Sequence, residues 1–286
     1  MDQSTRQEAI ELYDRFTHDG MDRRLFMGQM AKIAGSVAAA ELLIAGIAAS
    51  PAAAAQVAET DPRIFTRTQA LAGGYNAYVA EPRTRSLKAT VLVIHENRGL
   101  NDHIRDIARR LAVAGYRAVA PDMLSPTGGT PSNEDAARDA IGKLDLAKSV
   151  SDAVAMVDEL AKSSRGGKVG AVGFCWGGGF VNRLAVAAGG KLAAAVPYYG
   201  PAPDPSEAPK VQAAMLIHDA GLDDRVNRTS FPWVEALRAG KKDVKFFLYD
   251  GVNHAFNNDT SAERYNKPAA DLAWKRTLAF FKQHLG

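Results

Sequence analysis

The one cysteine of the chain stands in a context that favours a nucleophile. Cys175 is the centre of a G-x-C-x-G pattern at 173–177, directly after the apolar run 169–174. This spacing is typical of a sharp strand-turn-helix elbow, in which small residues on both sides leave room for the turn. A helical pattern begins near Phe180, so the thiol would lie at a helix N-terminus, whose dipole favours the thiolate. The alternative is a buried cysteine that acts as a small apolar side chain.

A cysteine nucleophile needs a base, and the base needs an acid that orients it. Among the six histidines, His254 is the best candidate because it follows the last predicted strand, 244–249. The carboxyl ends of parallel strands meet at one edge of a sheet, where the elbow also opens. The acid should lie between the cysteine and the histidine in the chain, which leaves Asp223, Asp224 and, less well placed, Asp219. Each of these aspartates could instead be a turn residue.

The rest of the chain must position these groups, and its strand and helix patterns alternate. A buried strand is predicted at 90–95, two helices at 133–148 and 149–162, and a last helix from Pro268. Such alternation predicts an α/β fold, with a mostly parallel central sheet and helices on both faces. Residues 56–286 suit one large domain of this kind.

Composition limits the possible functions. The chain has 286 residues, a formal net charge of +3 and 23% charged residues, which does not suggest nucleic-acid binding. A single cysteine excludes an internal disulfide and a cysteine-cluster metal site. We expect no metal and no organic cofactor.

The segment 1–55 differs from the rest. A short amphipathic helix is predicted at 1–19, and Arg23 and Arg24 are followed by an apolar stretch that ends in small residues at 50–55. This order resembles a twin-arginine export signal, which predicts a periplasmic protein. The long segment before the arginine pair and the charge of Glu41 count against it. The alternative is a cytoplasmic protein whose N-terminal helix docks on the domain or on a partner subunit. The apolar run is too interrupted for a permanent membrane span.

Five motifs in order resemble the dienelactone hydrolase family, which are α/β-hydrolases with a Cys-His-Asp triad. The motifs are HENRGL at 95–100, APDML at 120–124, GFCWGGG at 173–179, GLDDRV at 221–226 and GVNHAF at 251–256. The resemblance implies that Asp223 is the acid and that Glu96 lies near the resting thiol. It also implies that the backbone N–H groups of Asn97 and Trp176 form the oxyanion hole. Glu96 could instead be a loop carboxylate paired with Arg98.

These observations predict a hydrolase that cleaves a carboxylic ester or lactone through an acyl-enzyme. The alternatives are a carboxylesterase or thioesterase for small acyl groups, or a non-catalytic protein that uses the thiol as a redox sensor. The partner is a small-molecule substrate, with Arg98, Tyr199 and Asn257 as candidate contacts. A homo-oligomer is compatible with the sequence.

One difference from the family pattern bears on the charge of the substrate. The family has an arginine shortly after the catalytic histidine, where this chain has Asn257 and Asn258. A second family arginine is matched only loosely by Arg138. Amides bind a carboxylate but do not neutralise it. The sequence therefore predicts that neutral esters or lactones are turned over at least as well as carboxylated ones.

The export signal leads to a first prediction. We expect the mature protein to begin after the alanine run near Ala55, because small residues follow the arginine pair there. N-terminal sequencing of protein from the native host measures this. A mature chain that still begins at Met1 or Asp2 would mean that the first fifty or so residues are structural.

Overall fold

The computed structural model describes residues 2–48, 55–84 and 89–286. In these ranges eight strands form one sheet, in the order β1-β2-β4-β3-β5-β6-β7-β8. Strands β3 to β8 are parallel to one another, whereas β1 pairs antiparallel with β2, and β2 antiparallel with β4. The strands are β1 Ile64–Leu71, β2 Tyr75–Pro82, β3 Thr90–Ile94, β4 Arg117–Pro121, β5 Val169–Phe174, β6 Ala194–Tyr198, β7 Ala214–Ala220 and β8 Val244–Tyr249. The α/β fold with a mostly parallel sheet is confirmed.

Helices cover both faces of the sheet, which explains why the central strands β3 to β7 are buried along their whole length. One face packs against α4 and α9, and the other against α6, α7 and α8. The helices of the described ranges are α1 Gln3–His18, α2 Arg23–Ala34, α3 Val37–Ile47, α4 Asp102–Val113, α5 Glu134–Ile141, α6 Leu146–Ser163, α7 Trp176–Ala188, α8 Asp224–Ala239 and α9 Lys267–Leu285.

The first three helices pack on one another at the carboxyl-terminal edge of the sheet. Each begins at a polar N-cap, Asp2, Asp22 or Ser36, whose side chain accepts a backbone N–H. Their apolar side chains form a cluster of their own, separate from the two clusters on the sheet. The predicted processing stretch at 50–55 lies outside the described residues, apart from Ala55. No single described helix is long and apolar enough to cross a membrane; α2 and α3 reach that length only as a pair bent by 102°.

The structure differs from the sequence-based prediction in one strand that was not predicted and in one boundary between helices. Strand β1 has no predicted counterpart, because half of its sequence IFTRTQAL is polar and six of its eight residues are half-buried or exposed at the edge of the sheet. The boundary between the helices predicted at 133–148 and 149–162 lies earlier in the chain, because α5 ends at Ile141 and α6 begins at Leu146. The side chain of Asp145 accepts the N–H of Lys148 at 2.9 Å, so this aspartate caps α6.

Candidate active site

Cys175 sits in a sharp turn between β5 and α7. Its φ is +56°, a backbone conformation that costs energy for any residue with a Cβ. A Cβ on Gly173 would lie 2.2 Å from the carbonyl oxygen of Gly177, and one on Gly177 would lie 2.4 Å from that of His95. Glycine is therefore required at both positions of the pattern, and the predicted elbow is present.

His254 lies beside the thiol and is held by Asp223. Its Nδ1–H donates to Asp223 Oδ2 at 2.5 Å, and both side chains are buried. Asp223 is the N-cap of α8, and its other oxygen accepts the N–H of Val226 at 3.1 Å. Burial works against a charge on the imidazole, but the charges of Asp223 and Cys175 raise the pKa of His254 to about 10. The protonated, imidazolium form of His254 is thus favoured.

The other two aspartates considered from the sequence lie in different surroundings. Asp224 is the first residue of α8, and its side chain is exposed. Asp219 is buried and accepts a hydrogen bond from the hydroxyl of Ser230. Burial raises the pKa of Asp219 to about 7. Of the three, Asp223 is the one whose carboxylate contacts His254.

Glu96 and the two candidate oxyanion donors lie around the thiol. Glu96 is buried, and its Oε2 accepts Asn258 Nδ2 at 2.7 Å, so the predicted alternative of a pair with Arg98 is wrong. Asn97 lies in the turn after β3. The backbone N–H of Trp176 is at the first position of α7, where helices leave such groups without an intrahelical acceptor.

His95 fixes this turn. Its Nδ1–H donates to the carbonyl oxygen of Glu96 at 2.7 Å, while Nε2 accepts the N–H of Met123 at 3.1 Å. Burial lowers the pKa of His95, which suits the neutral ring that these two bonds require. The carboxyl end of β3 is therefore tied to the loop after β4.

Two arginines line the same small cavity as Cys175 and His254. Arg98 is buried, and its nearest carboxylates are Asp135 at 3.4 Å and Glu134 at 4.0 Å. Arg264 is buried as well and pairs with Asp14 of α1 at 3.3 Å. Arg264 follows His254 by ten residues, and sequence reasoning missed it because only the four positions after the histidine were compared with the family pattern.

A second histidine, His18, approaches the thiol from the end of α1. Its Nε2 lies 3.9 Å from Cys175 Sγ, and its ring contacts that of His254 edge-on, with centroids 4.9 Å apart. Burial, followed by the charge of His254, lowers the pKa of His18 well below its ordinary value. The sequence places His18 only in an N-terminal helix, and nothing in the sequence predicts its contact with Cys175.

The other two candidate substrate contacts, Tyr199 and Asn257, lie away from the cavity, and so does Arg138, the loose match to a family arginine. Tyr199 is buried, has a φ of +37° and packs edge-on against His254 with ring centroids 5.0 Å apart. Asn257 is buried and is not among the described residues that line the cavity, although its neighbour Asn258 is. Arg138 is on α5, where it pairs with Asp135 and lies over the ring of Phe16.

The donor set at the thiol resembles that of a soft-metal site. His18, Cys175 and His254 each offer one ligand atom, and these atoms lie within 4.8 Å of one another. The guanidinium groups of Arg98 and Arg264 line the same cavity and oppose the binding of a cation there. We therefore assign no metal to the site.

Comparisons with known proteins identify the family of this chain. The sequence profile of the dienelactone hydrolase family matches residues 75–285. The chain belongs to the dienelactone hydrolase family. Two relatives carry the name "Putative carboxymethylenebutenolidase". The one from Escherichia coli O157:H7 is 33% identical, over 84% of this chain and 94% of the relative. The one from Saccharolobus solfataricus is 31% identical, over 72% of this chain and 93% of the relative. A crystal structure of a "Putative Dienelactone Hydrolase" from Klebsiella pneumoniae is 27% identical, with a TM-score of 0.68, over 77% of this chain and 99% of that one.

Membership of the dienelactone hydrolase family confirms two predictions made from the motifs. The fold is that of the α/β-hydrolases, and the protein is a hydrolase of the dienelactone hydrolase type. The roles of the individual side chains remain predictions.

The pair of His254 and Asp223 leads to a prediction on stability. Because the pKa of His254 is raised from its ordinary value of 6.5 to about 10, the folded state binds a proton in this range that the unfolded state releases. The contribution of His254 to the free energy of unfolding is therefore complete below about pH 6.5 and is lost as the pH rises towards 10. We expect Asp223→Asn to flatten this dependence, measured by urea denaturation between pH 6.5 and 9.5. Asp224→Asn, an exposed neighbour, should keep the wild-type slope, and equal slopes for all three proteins would contradict the assignment.

Proposed function

We propose that the protein hydrolyses a carboxylic ester or lactone with Cys175 as nucleophile, His254 as proton carrier and Asp223 as its orienting acid. The observation that supports this most directly is the contact of His254 Nδ1 with Asp223. That contact leaves Nε2 of the ring without a hydrogen-bond partner among the described residues, although it is buried. His254 and Cys175 offer reactive atoms within 4.8 Å of each other.

The reaction then takes two steps. The thiolate of Cys175 attacks the carbonyl carbon and forms a tetrahedral oxyanion. The carbon–oxygen bond to the alcohol breaks, and His254 gives its proton to the leaving alkoxide. Water next attacks the thioester while His254 accepts its proton, and the acid is released with the regenerated thiolate.

The oxyanion needs two donors in fixed positions. The backbone N–H groups of Trp176 and Asn97 are assigned this role because one begins a helix and the other follows β3 beside the thiol. The loss of one such donor typically costs about 2.7–4 kcal/mol in the transition state. Glu96 has one buried oxygen, Oε1, without a hydrogen-bond partner among the described residues. We assign to it the local exchange of a proton with the thiol.

The two arginines change the expectation for substrate charge. Neutral substrates were expected because Asn257 and Asn258 replace the family arginine. Arg264 supplies a buried guanidinium at the cavity, and Asn258 is already bonded to Glu96. A carboxylate placed near Arg264 would gain a charge-assisted pair in a site with little water. We therefore expect carboxylated lactones to be preferred, contrary to the sequence-based prediction.

The roles of the nucleophile and base are tested by substitution. Cys175→Ala and His254→Ala should each lower kcat by about 10⁴-fold or more, and the double variant should be little worse, because the groups act as a unit. Cys175→Ser should be much slower than wild type, since a hydroxyl is far less acidic than a thiol. The assay uses a chromogenic acetate ester and a panel of lactones, with circular dichroism to verify the fold. His284→Ala, in α9, is the histidine control. Unchanged turnover in either single variant would rule out the proposed roles.

The role of Arg264 is tested by a ratio. Arg264→Gln should lower kcat/KM for a carboxylated lactone relative to its neutral analogue by about tenfold to a hundredfold, the usual worth of a charge-assisted hydrogen bond. High salt should lower the same ratio in the wild type. Arg138→Gln, which alters an arginine outside the cavity, should leave the ratio unchanged. If the ratio of kcat/KM for the carboxylated and the neutral lactone is the same in the wild type and in Arg264→Gln, the role of Arg264 is wrong and neutral substrates are again expected.

A further inference from the structure

The three N-terminal helices, α1 to α3, form a unit that lies over the reactive thiol; we call residues 3–47 the cap. With the cap in place, the cavity at Cys175 has a volume of about 20 Å³. A cavity needs roughly 10–15 Å³ to hold one water molecule, so this one has no room for an ester or lactone. Cys175 is 4% exposed and His254 is 2% exposed. A substrate can reach the thiol only after α1 has moved.

The carboxyl end of α1 occupies the space in front of the thiol. The ring of His18 is within contact distance of both Cys175 and His254, and all three side chains line the cavity. The backbone carbonyl of Thr17 accepts Asn97 Nδ2 at 3.5 Å, beside the turn that carries a proposed oxyanion donor. The reacting groups are thus blocked by the protein's own chain.

The same helix also occupies both arginines of the cavity. The carboxylate of Asp14 pairs with Arg264 at 3.3 Å, and the hydroxyl of Tyr13 accepts Arg98 Nη2 at 2.9 Å. The carbonyl of Ile47, at the end of α3, accepts Arg264 Nε at 3.1 Å. An acid and two oxygen acceptors of the cap therefore hold the guanidinium groups that an anionic substrate would need.

The attachment of the cap is mostly polar, which makes it separable from the domain. Its apolar side chains are buried among themselves rather than against the sheet. Further contacts to the domain are the ion pair of Arg6 with Glu263 at 2.8 Å and the bond from Gln7 to Asn253 at 2.9 Å. A cavity of about 220 Å³ remains between the cap and α5, lined by Phe16, Phe26 and Asp135 among others. Polar, incompletely packed interfaces of this kind are typical of units that move relative to each other.

We propose that the cap is an autoinhibitory element: α1 binds in place of the substrate, with Asp14 on Arg264 and His18 on Cys175, and the enzyme is active when the cap leaves. This inference rests on the proposed function of the same site. A cut in residues 49–54, which follow the cap in the sequence and lie just before the processing position predicted near Ala55, would separate the cap from the domain without altering a catalytic residue.

The test uses the full chain with a protease recognition sequence placed in residues 49–54. The rate at which iodoacetamide alkylates Cys175 reports access to the thiol, and it needs no substrate. Asp14→Asn removes the charge that anchors α1 to Arg264, and Asp19→Asn makes the same chemical change at an exposed residue of the cap. Both variants and the wild type are measured intact and after the cut, and size-exclusion chromatography shows whether residues 1–48 have left.

We expect intact Asp14→Asn to be alkylated at least tenfold faster than the intact wild type. The cut Asp14→Asn chain should lose its cap, and its kcat/KM for a lactone should exceed that of the intact wild type at least tenfold. Asp19→Asn should match the wild type. Equal alkylation rates for the intact wild type, intact Asp14→Asn and cut Asp14→Asn overturn the proposal, and so does a cut chain that keeps its cap and is fully reactive. If alkylation accelerates but no ester or lactone is hydrolysed, the proposal that the cap covers Cys175 is supported and the proposed function is contradicted.

Discussion

The backbone of Cys175 is the constraint on which the rest of the site depends. A residue with φ of +56° between a buried strand and a helix is tolerated only if its neighbours over-determine it. They do so through Gly173 and Gly177, whose missing side chains let β5, α7 and the end of β3 approach one another closely. The same close approach brings Glu96 and Asn97 beside the thiol. Cys175 and its surroundings therefore depend on the same packing.

Much of the arrangement around Cys175 was predictable from the sequence, because it is encoded locally. The elbow pattern around Cys175, the loop position of His254 and the order of Asp223 between them each follow from short motifs at strand ends. The parallel sheet follows from the alternation of strands and helices. Chain order alone left both Asp223 and Asp224 open. In the structure Asp223 is the N-cap of α8 and contacts His254, whereas Asp224 begins the helix at the surface.

The parts that sequence reasoning missed are long-range. Arg264 is ten residues from His254 and reaches the cavity only because the chain between them folds back. His18 contacts Cys175 across 157 residues of chain and Asp14 contacts Arg264 across 250, and no local pattern signals such a pairing. Strand β1 was missed for a different reason, since this edge strand, buried only at its two ends, lacks the apolar alternation by which strands are found. Polar contacts between distant segments are thus the least visible part of this protein in its sequence.

The distance along the chain between the cap and its partners has a consequence for folding. Asp14 and Arg264 are separated by 250 residues, and Gln7 and Asn253 by 246. The cap is made first during synthesis, but its binding surface exists only after β8 and the loop that carries His254 are in place. Closing so long a segment carries an entropic cost that grows with its length, so the cap should dock last. Until the cap docks, Cys175 would already lie in its turn but would be uncovered, so we expect the newly made chain to pass through an open state before the cap binds.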